Sequence, residues 1–111
     1  MRMVIAFVQP FMTDRVEEAL HGITGLSGAT FTDVKGFGRG RASDVPGSEV
    51  LLGTSPKVRV EVIVPDALER AVVLAIRDAA RTGNRGDGKV FVLPVSRAVR
   101  IATGEEGETA I

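Results

Sequence analysis

The stretch that decides the fold is KVRVEVIVPDALERAVVLAIRDAA, residues 57–80. Residues 57–64 first alternate between charged and apolar side chains and then become wholly apolar before Pro65, which is the pattern of a strand. Asp66 with Glu69 matches a capping box, and an apolar stripe at helical spacing follows: Leu68, Ala71, Val72, Ala75, Ile76, Ala79. The stretch therefore predicts a strand followed directly by a helix, which Gly83 is expected to end as a C-cap.

The N-terminal part has the same order. Residues 3–8 form an almost continuous apolar run before Pro10, which predicts a first strand. Asp14 with Glu17 gives a second capping-box pattern, so a helix should begin there and close near residues 22–25. Its apolar face is formed by Val16, Ala19, Leu20 and Ile23.

The other strands complete the fold prediction. Residues 30–35 alternate and are β-branched, residues 90–93 are apolar, and residues 98–101 are a candidate short fifth strand. The order β-α-β-β-α-β predicts an α+β fold, the ferredoxin-like sandwich with two helices on one face of an antiparallel sheet. Because the third strand is apolar on both sides towards its end, we expect oligomerisation to cover the other face.

Composition excludes several classes of function. The 111 residues predict a single domain, 1–111, and the absence of Cys rules out disulfides and thiolate metal sites. No leader or long apolar run is visible, so a cytoplasmic protein without membrane insertion is expected. With 14 basic and 14 acidic residues and no Trp or Tyr, nucleic acid is not an expected partner. The lone His21 is assigned to a helix surface, and no catalytic acid pair or nucleophile is apparent.

A glycine-rich turn at residues 83–89 spells G-x-x-x-x-G-K. Triphosphatase loops of this pattern continue with Ser or Thr for magnesium and run from a strand into a helix. Here Val90 follows, and the turn runs from a helix into a strand, so we reject a hydrolytic function. What remains is a turn whose backbone amides, with Lys89, can bind an anion.

Two further features point to the same chemistry. Residues 36–40, GFGRG, fail the dinucleotide fingerprint because Arg41 stands where a glycine is needed. The alternating glycines still let the backbone approach a ligand, and Arg39 can reach a phosphate. Together with Arg100 near the C-terminus, this segment and the turn predict an anion pocket.

Residues 40–55 are not periodic and are long for a connection within a compact domain. They contain glycines and prolines but also apolar side chains: Val45, Val50, Leu51 and Leu52. A flexible insertion and a partner-docking arm that orders on binding both fit this composition. Near the C-terminus, Glu105, Glu106 and Glu108 are expected to form a solvated acidic tail.

Four blocks, residues 34–39, 56–66, 81–91 and 99–105, make the chain resemble the PII signal-transduction proteins from end to end. The resemblance implies a non-enzymatic homotrimer that binds ATP or ADP in clefts between subunits. It also implies a T-loop at about 40–56, a B-loop at about 82–89 and a C-terminal segment at about 97–111. In such proteins the T-loop reports nucleotide state by docking on a transporter or an enzyme.

The resemblance also implies which residues bind the ligand. The B-loop positions expected at the phosphates are Gly86, Asp87, Gly88 and Lys89, joined by Arg100 of an adjoining chain. The T-loop stem is formed by Gly36, Phe37, Gly38 and Arg39. The positions that line the adenine are Thr30, Glu61 and Ile63. Lys57 matches the residue that contacts 2-oxoglutarate or the terminal phosphate.

Several positions depart from the family pattern. Gly40 replaces a Gln that helps to hold magnesium and 2-oxoglutarate, which argues against magnesium-dependent 2-oxoglutarate sensing. Val50 replaces the modifiable Tyr, so uridylylation is excluded, and the arm is two residues shorter than usual. Ser48 stands where some members are phosphorylated, although serine is also ordinary in such a loop. Ala102 replaces a second arginine, a loss of about 1.5–3 kcal/mol that should weaken ATP binding most.

These departures suggest a divergent PII-like protein that reads ADP or AMP against ATP, with a small anion such as bicarbonate as a candidate effector. The alternatives are a conventional nitrogen-regulatory PII that senses ATP, ADP and 2-oxoglutarate, or a regulator linked to metal efflux. A small enzyme that hydrolyses nucleotides on the same fold is a further alternative from a different class.

Overall fold

The computed structural model describes the backbone of residues 1–41, 49–51 and 54–111, and the side chains of residues 1–38 and 54–111. Within these residues, 3-10 turns lie at Pro10–Met12, Asp66–Leu68 and Gly107–Ala110. The strands and helices are, in chain order, β1 (Arg2–Val8), α1 (Thr13–His21), β2 (Thr30–Gly36), β3 (Arg39–Arg41), β4 (Glu49–Leu51), β5 (Ser55–Val64), α2 (Glu69–Ala80) and β6 (Gly88–Pro94).

The main sheet has the order β2-β5-β1-β6, and every neighbouring pair is antiparallel. The two strands at its centre, β1 and β5, are each paired on both sides. Both helices pack on one face of this sheet. The predicted ferredoxin-like α+β sandwich is confirmed.

The core lies between the helices and one face of the sheet. Alternate residues of β1 and β5 point into it: Val4, Ala6, Val8, Val58, Val60, Val62 and Val64. The helices contribute Val16, Leu20, Val72, Ile76 and Ala80. Full burial of a side chain of the size of Val or Ile contributes about 1.5–3 kcal/mol, so this layer provides most of the driving force for folding.

The predicted capping boxes are wrong at both helices. Each helix is preceded by a 3-10 turn that a proline introduces, Pro10 within the first turn and Pro65 just before the second. Neither helix has a side-chain hydrogen bond at its N-cap. Thr13 Oγ1 donates to the Pro10 carbonyl at 2.8 Å. Asp66 accepts from the Met1 ammonium group at 2.9 Å, and this bond is the main reason why the pKa of Asp66 is lowered.

The predicted end of the second helix is also wrong. The helix stops at Ala80 because Arg81 is extended, with ψ of 127°, and Gly83 therefore does not cap it. The amides that follow are drawn away from the helix axis by hydrogen bonds to a carboxylate of the glycine-rich turn. The first helix ends as predicted, at Gly22, whose amide bonds to the Glu18 carbonyl.

Residues 98–101, the candidate fifth strand, are described by the structure and do not form a strand. Val99 forms only an isolated bridge with Glu106, and the chain reverses between them through Gly104. The Gly104 amide donates to the Arg100 carbonyl at 2.8 Å. The acidic run is correspondingly not a tail, because its backbone belongs to this turn and to the 3-10 turn that follows.

The long connection contains regular structure that the sequence did not reveal. β3 and β4 form an antiparallel ribbon in which Arg39 is opposite Leu51 and Gly40 is opposite Val50. Ser48, together with the rest of residues 42–48 and residues 52–53, lies outside the described residues. In the described ranges, no helix is long and apolar enough to span a membrane.

Replacing Gly88 with Ala should destabilise the fold. Gly88 has φ of 108°, and a Cβ there would lie 1.7 Å from the carbonyl oxygen of Phe7 in the neighbouring strand. We expect the free energy of unfolding in urea to fall by at least about 1–3 kcal/mol. Gly104→Ala is the matched control, since Gly104 has φ of 73° and nothing within 4 Å of its Cβ position. An equal loss in both variants would contradict the close approach at Gly88.

Candidate functional site

The glycine-rich turn is organised by the side chain of Asp87. Its Oδ2 atom accepts hydrogen bonds from the amides of Thr82, at 2.8 Å, and Gly83, at 2.9 Å. The Thr82 hydroxyl donates to Oδ1. Thr82 Oγ1 in turn accepts from the Asn84 amide at 3.1 Å. One carboxylate thus ties the start of the turn to its end.

These contacts lower the pKa of Asp87. The largest cause is the hydrogen bond from the Thr82 hydroxyl, followed by the Thr82 amide, and the Gly83 amide and the charge of Arg81 add smaller contributions. The carboxylate is therefore charged and fully engaged with the turn. Its structural role is to hold the backbone, while the amides of Arg85 and Gly86 have no acceptor among the described residues.

The turn lies against the end of the sheet. Lys57 of β5 donates from Nζ to the Gly86 carbonyl at 3.2 Å. A Cβ on Gly86 would be 2.9 Å from Nε2 of Gln9 and 3.8 Å from Nζ of Lys57, so two side-chain nitrogens converge there. The sequence pattern did not indicate a role for Gln9. The available signal was a polar residue that ends the apolar run of the first strand.

Strand alternation places the predicted cations on one face. Val58, Val60 and the residues in phase with them face the helices, so Lys57 points to the opposite, uncovered face of the sheet. Lys89 is opposite Phe7 of β1, which is also on the uncovered face, and Lys89 is exposed. Both lysines therefore lie on the same face, at the end of the sheet where the turn leads into β6.

The residues expected at the adenine lie further along this face. Thr30 of β2 is directly opposite Glu61 of β5, and Ile63 follows on the same side of β5. Lys57 and Glu61 are separated by four residues of extended strand, a span of roughly 13 Å. This distance is comparable with the length of a nucleotide.

Arg100 is not brought to this group within one chain. Its Nε atom lies 3.5 Å from the Ala110 carbonyl, and its guanidinium lies 4.0 Å from the Glu105 carboxylate. Gly36 ends β2, and the side chain of Phe37 after it is 66% exposed. Gly38 immediately precedes β3, and the side chain of Arg39 lies outside the described residues.

Metal-ligating side chains do not cluster in the described part of the chain, where no group of three His, Cys, Asp or Glu residues could hold an ion. His21 is on the surface of α1, as predicted, with its Nε2 atom 4.0 Å from the Glu17 carboxylate.

Comparison with known proteins identifies the family. The family model described as "Nitrogen regulatory protein P-II" matches residues 1–105. The chain belongs to the P-II family. It is 46% identical to the nitrogen regulatory protein P-II of Azospirillum brasilense and 48% identical to that of Haemophilus influenzae, in each case over the full length of both chains. The nitrogen regulatory protein P-II 1 of Escherichia coli K12 is 44% identical over the same extent.

Membership of the P-II family confirms the resemblance to PII signal-transduction proteins. Members of this family are regulatory proteins and not enzymes, so the nucleotide-hydrolysing alternative is set aside. The glycine-rich turn runs from α2 into β6, as predicted, which is the reverse of the strand-to-helix direction of a triphosphatase loop.

The order of the turn should depend on acid pH through Asp87. Because its pKa is lowered in the folded chain, the stabilisation is complete above the ordinary value of 3.8 and is lost as pH falls through the lowered value. We expect the amide NMR signals of Thr82 and Gly83 to shift together below pH 3.8. In Asp87→Asn that transition should disappear. Amide signals that titrate at or above pH 3.8 would contradict the hydrogen-bonded carboxylate.

Proposed function

We propose that this P-II family protein senses adenine nucleotides on the uncovered face of its sheet. The proposal is carried by one observation, the contact of Lys57 with the Gly86 carbonyl. This contact joins the base of the long connection to the glycine-rich turn, on the face that also carries Lys89 and the Thr30–Glu61 pair. The lysines would thus form a cationic end of the site, and Thr30, Glu61 and Ile63 would form a surface of nucleoside length further along β5.

Phosphate recognition would come from the backbone of the turn and from two lysines. The amides of Arg85 and Gly86, which have no acceptor among the described residues, suit phosphate oxygens, and Lys89 supplies a charge at the exit of the turn. Gly86 has φ of 88° and is crowded by the nitrogens of Gln9 and Lys57. A side chain there would fill the space that an anion needs.

The adenine would lie against Thr30, Glu61 and Ile63. Thr30 offers a hydroxyl and Glu61 a carboxylate that can accept a hydrogen bond from an amino group, while Ile63 offers an apolar surface. This combination of an apolar contact from Ile63 and a few polar groups is typical of small-molecule sites.

A homotrimer would complete the site. The uncovered face carries large apolar side chains that remain exposed in one chain, with Phe91 49% and Leu93 43% exposed. Arg100 makes no described contact with the turn of its own chain. In a cyclic trimer, Arg100 of a neighbouring chain would reach the phosphates, and the apolar face would be covered.

The T-loop would report which ligand is bound. Lys57 is two residues beyond the start of β5, at one base of this arm, and the glycine-rich stem that leads into β3 forms the other base. A ligand that moves Lys57 away from Gly86 would favour one arrangement of the arm over another. The arm would then bind or release a transporter or a metabolic enzyme.

The departures at Gly40 and Ala102 favour ADP or AMP over ATP, because one guanidinium and one amide side chain are missing from the triphosphate end. A small anion such as bicarbonate would occupy the space beside Gly40. The names of the relatives favour a second candidate, a conventional nitrogen regulator that senses ATP, ADP and 2-oxoglutarate.

Calorimetry separates these candidates. ADP and AMP should bind at least as tightly as ATP, because losing a charge-assisted contact costs about 1.5–3 kcal/mol for the triphosphate. Addition of magnesium and 2-oxoglutarate to the ATP complex should give no further heat, and bicarbonate is tested in a parallel titration. Tight, magnesium-dependent binding of 2-oxoglutarate would instead establish the conventional regulator.

Lys89→Ala and Arg100→Ala should each weaken ADP binding by about tenfold or more, the loss expected for one charge-assisted contact. Both variants should remain trimers of the 11.7-kDa chain in light scattering. Arg70→Ala, an exposed position on α2, is the matched control. Unchanged affinity in both site variants would contradict the pocket.

Mixing the two variants tests whether each site is shared. If Lys89 and Arg100 come from different chains, random exchange at equal amounts should restore about one quarter of the clefts to the native pair. ADP binding of native affinity should then reappear with that stoichiometry. No recovery after verified subunit exchange would mean that the two residues act within one chain.

A further inference from the structure

Arg59 is the one charged side chain between the two ends of the proposed site on β5. It lies on the uncovered face of the sheet, with Lys57 two residues before it and Glu61 two residues after it in β5. Its Nε atom is 2.7 Å from Oε1 of Glu61, and the two side chains are 35% and 33% exposed. The Nε atom is buried but is not aligned for a hydrogen bond, so the pair is held by charge and proximity.

The Arg59 guanidinium also lies over an aromatic ring. Its Cζ atom lies 5.8 Å from the centre of the Phe7 ring. That ring makes an edge-to-face contact with Phe91, with centroids 6.5 Å apart and planes at 74°. A guanidinium over an aromatic ring gains cation–π attraction, which favours this position of the side chain. The arrangement therefore connects β6, which carries Lys89, to Glu61.

We propose that Arg59 is a positioning residue for nucleotide recognition, which holds the Glu61 carboxylate against the nucleoside and neutralises its charge. The inference rests on the proposed nucleotide function. Glu61 is the one carboxylate that strand alternation places on this face of β5, and an unneutralised carboxylate would repel a polyphosphate bound along the strand. With Arg59 beside it, Glu61 can accept a hydrogen bond from the base without opposing the phosphates.

This role predicts an effect that grows with ligand charge. Arg59→Met should weaken ATP binding by about tenfold, ADP binding by less, and adenosine binding least. The reason is that the unneutralised Glu61 carboxylate repels the phosphates, which adenosine lacks. Arg59→Lys should restore most of the loss, since it keeps the charge. Calorimetry against ATP, ADP and adenosine measures the series, and Arg70→Met on the exposed surface of α2 is the matched control.

The role of Glu61 as intermediary is tested by a double-mutant cycle. In a Glu61→Gln background, Arg59→Met should cost several-fold less ATP affinity than in the native background, because no carboxylate remains to neutralise. An equal cost in both backgrounds would mean that Arg59 attracts the phosphates directly and would overturn the inference. Arg59→Gln is a second neutral variant and replaces Arg59→Met if that protein does not fold, as judged by circular dichroism.

Failure of this inference is distinguishable from failure of the proposed function. If the native protein binds none of the three ligands, the nucleotide function is wrong and the role of Arg59 falls with it. If the native protein binds ATP and Arg59→Met behaves like Arg70→Met, the nucleotide function stands and only the role of Arg59 is wrong.

Discussion

The close approach of Gly88 to the Phe7 carbonyl is the constraint on which the site depends. A Cβ at position 88 would lie 1.7 Å from that oxygen, so the two backbones can meet only at a glycine. The contact sets β6 in register against β1, with Val8 opposite Gly88 and Phe7 opposite Lys89. Because β1 is also paired with β5, the same contact places the glycine-rich turn beside Lys57.

The two faces of the main sheet carry different kinds of side chain. The valine-rich face packs against the helices and stabilises the fold, and the opposite face carries Lys57, Arg59, Glu61 and Ile63 at alternate positions of β5. A strand with period two can therefore build a core and a binding surface from one continuous stretch of sequence. Large apolar side chains remain exposed on this second face, and they are the reason why we propose that other subunits cover it.

Elements whose positions depend on the spacing of apolar residues were predictable from the sequence. Features that depend on which groups compete locally for a hydrogen bond were not. Strand and helix positions came from the apolar runs. The helix starts, however, were assigned to Asp14 and Asp66 without allowing for the 3-10 turns that Pro10 begins and Pro65 precedes. Glycine is a typical residue at a helix end, which is why Gly83 was predicted there. In the structure the amides of Thr82 and Gly83 instead donate to the Asp87 carboxylate. The candidate fifth strand has β-branched residues, but among the described residues it pairs only through the Val99–Glu106 bridge.

The sequence alone determined the β-α-β-β-α-β order and, by resemblance, the family. These depend on residue type and spacing, which are local properties of the chain. Only the tertiary structure decided that Asp87 serves the turn, that Gln9 approaches Gly86, and that Arg59 joins Phe7 to Glu61. Such contacts join residues far apart in the chain, and pairing register and side-chain packing bring them together only in the folded protein.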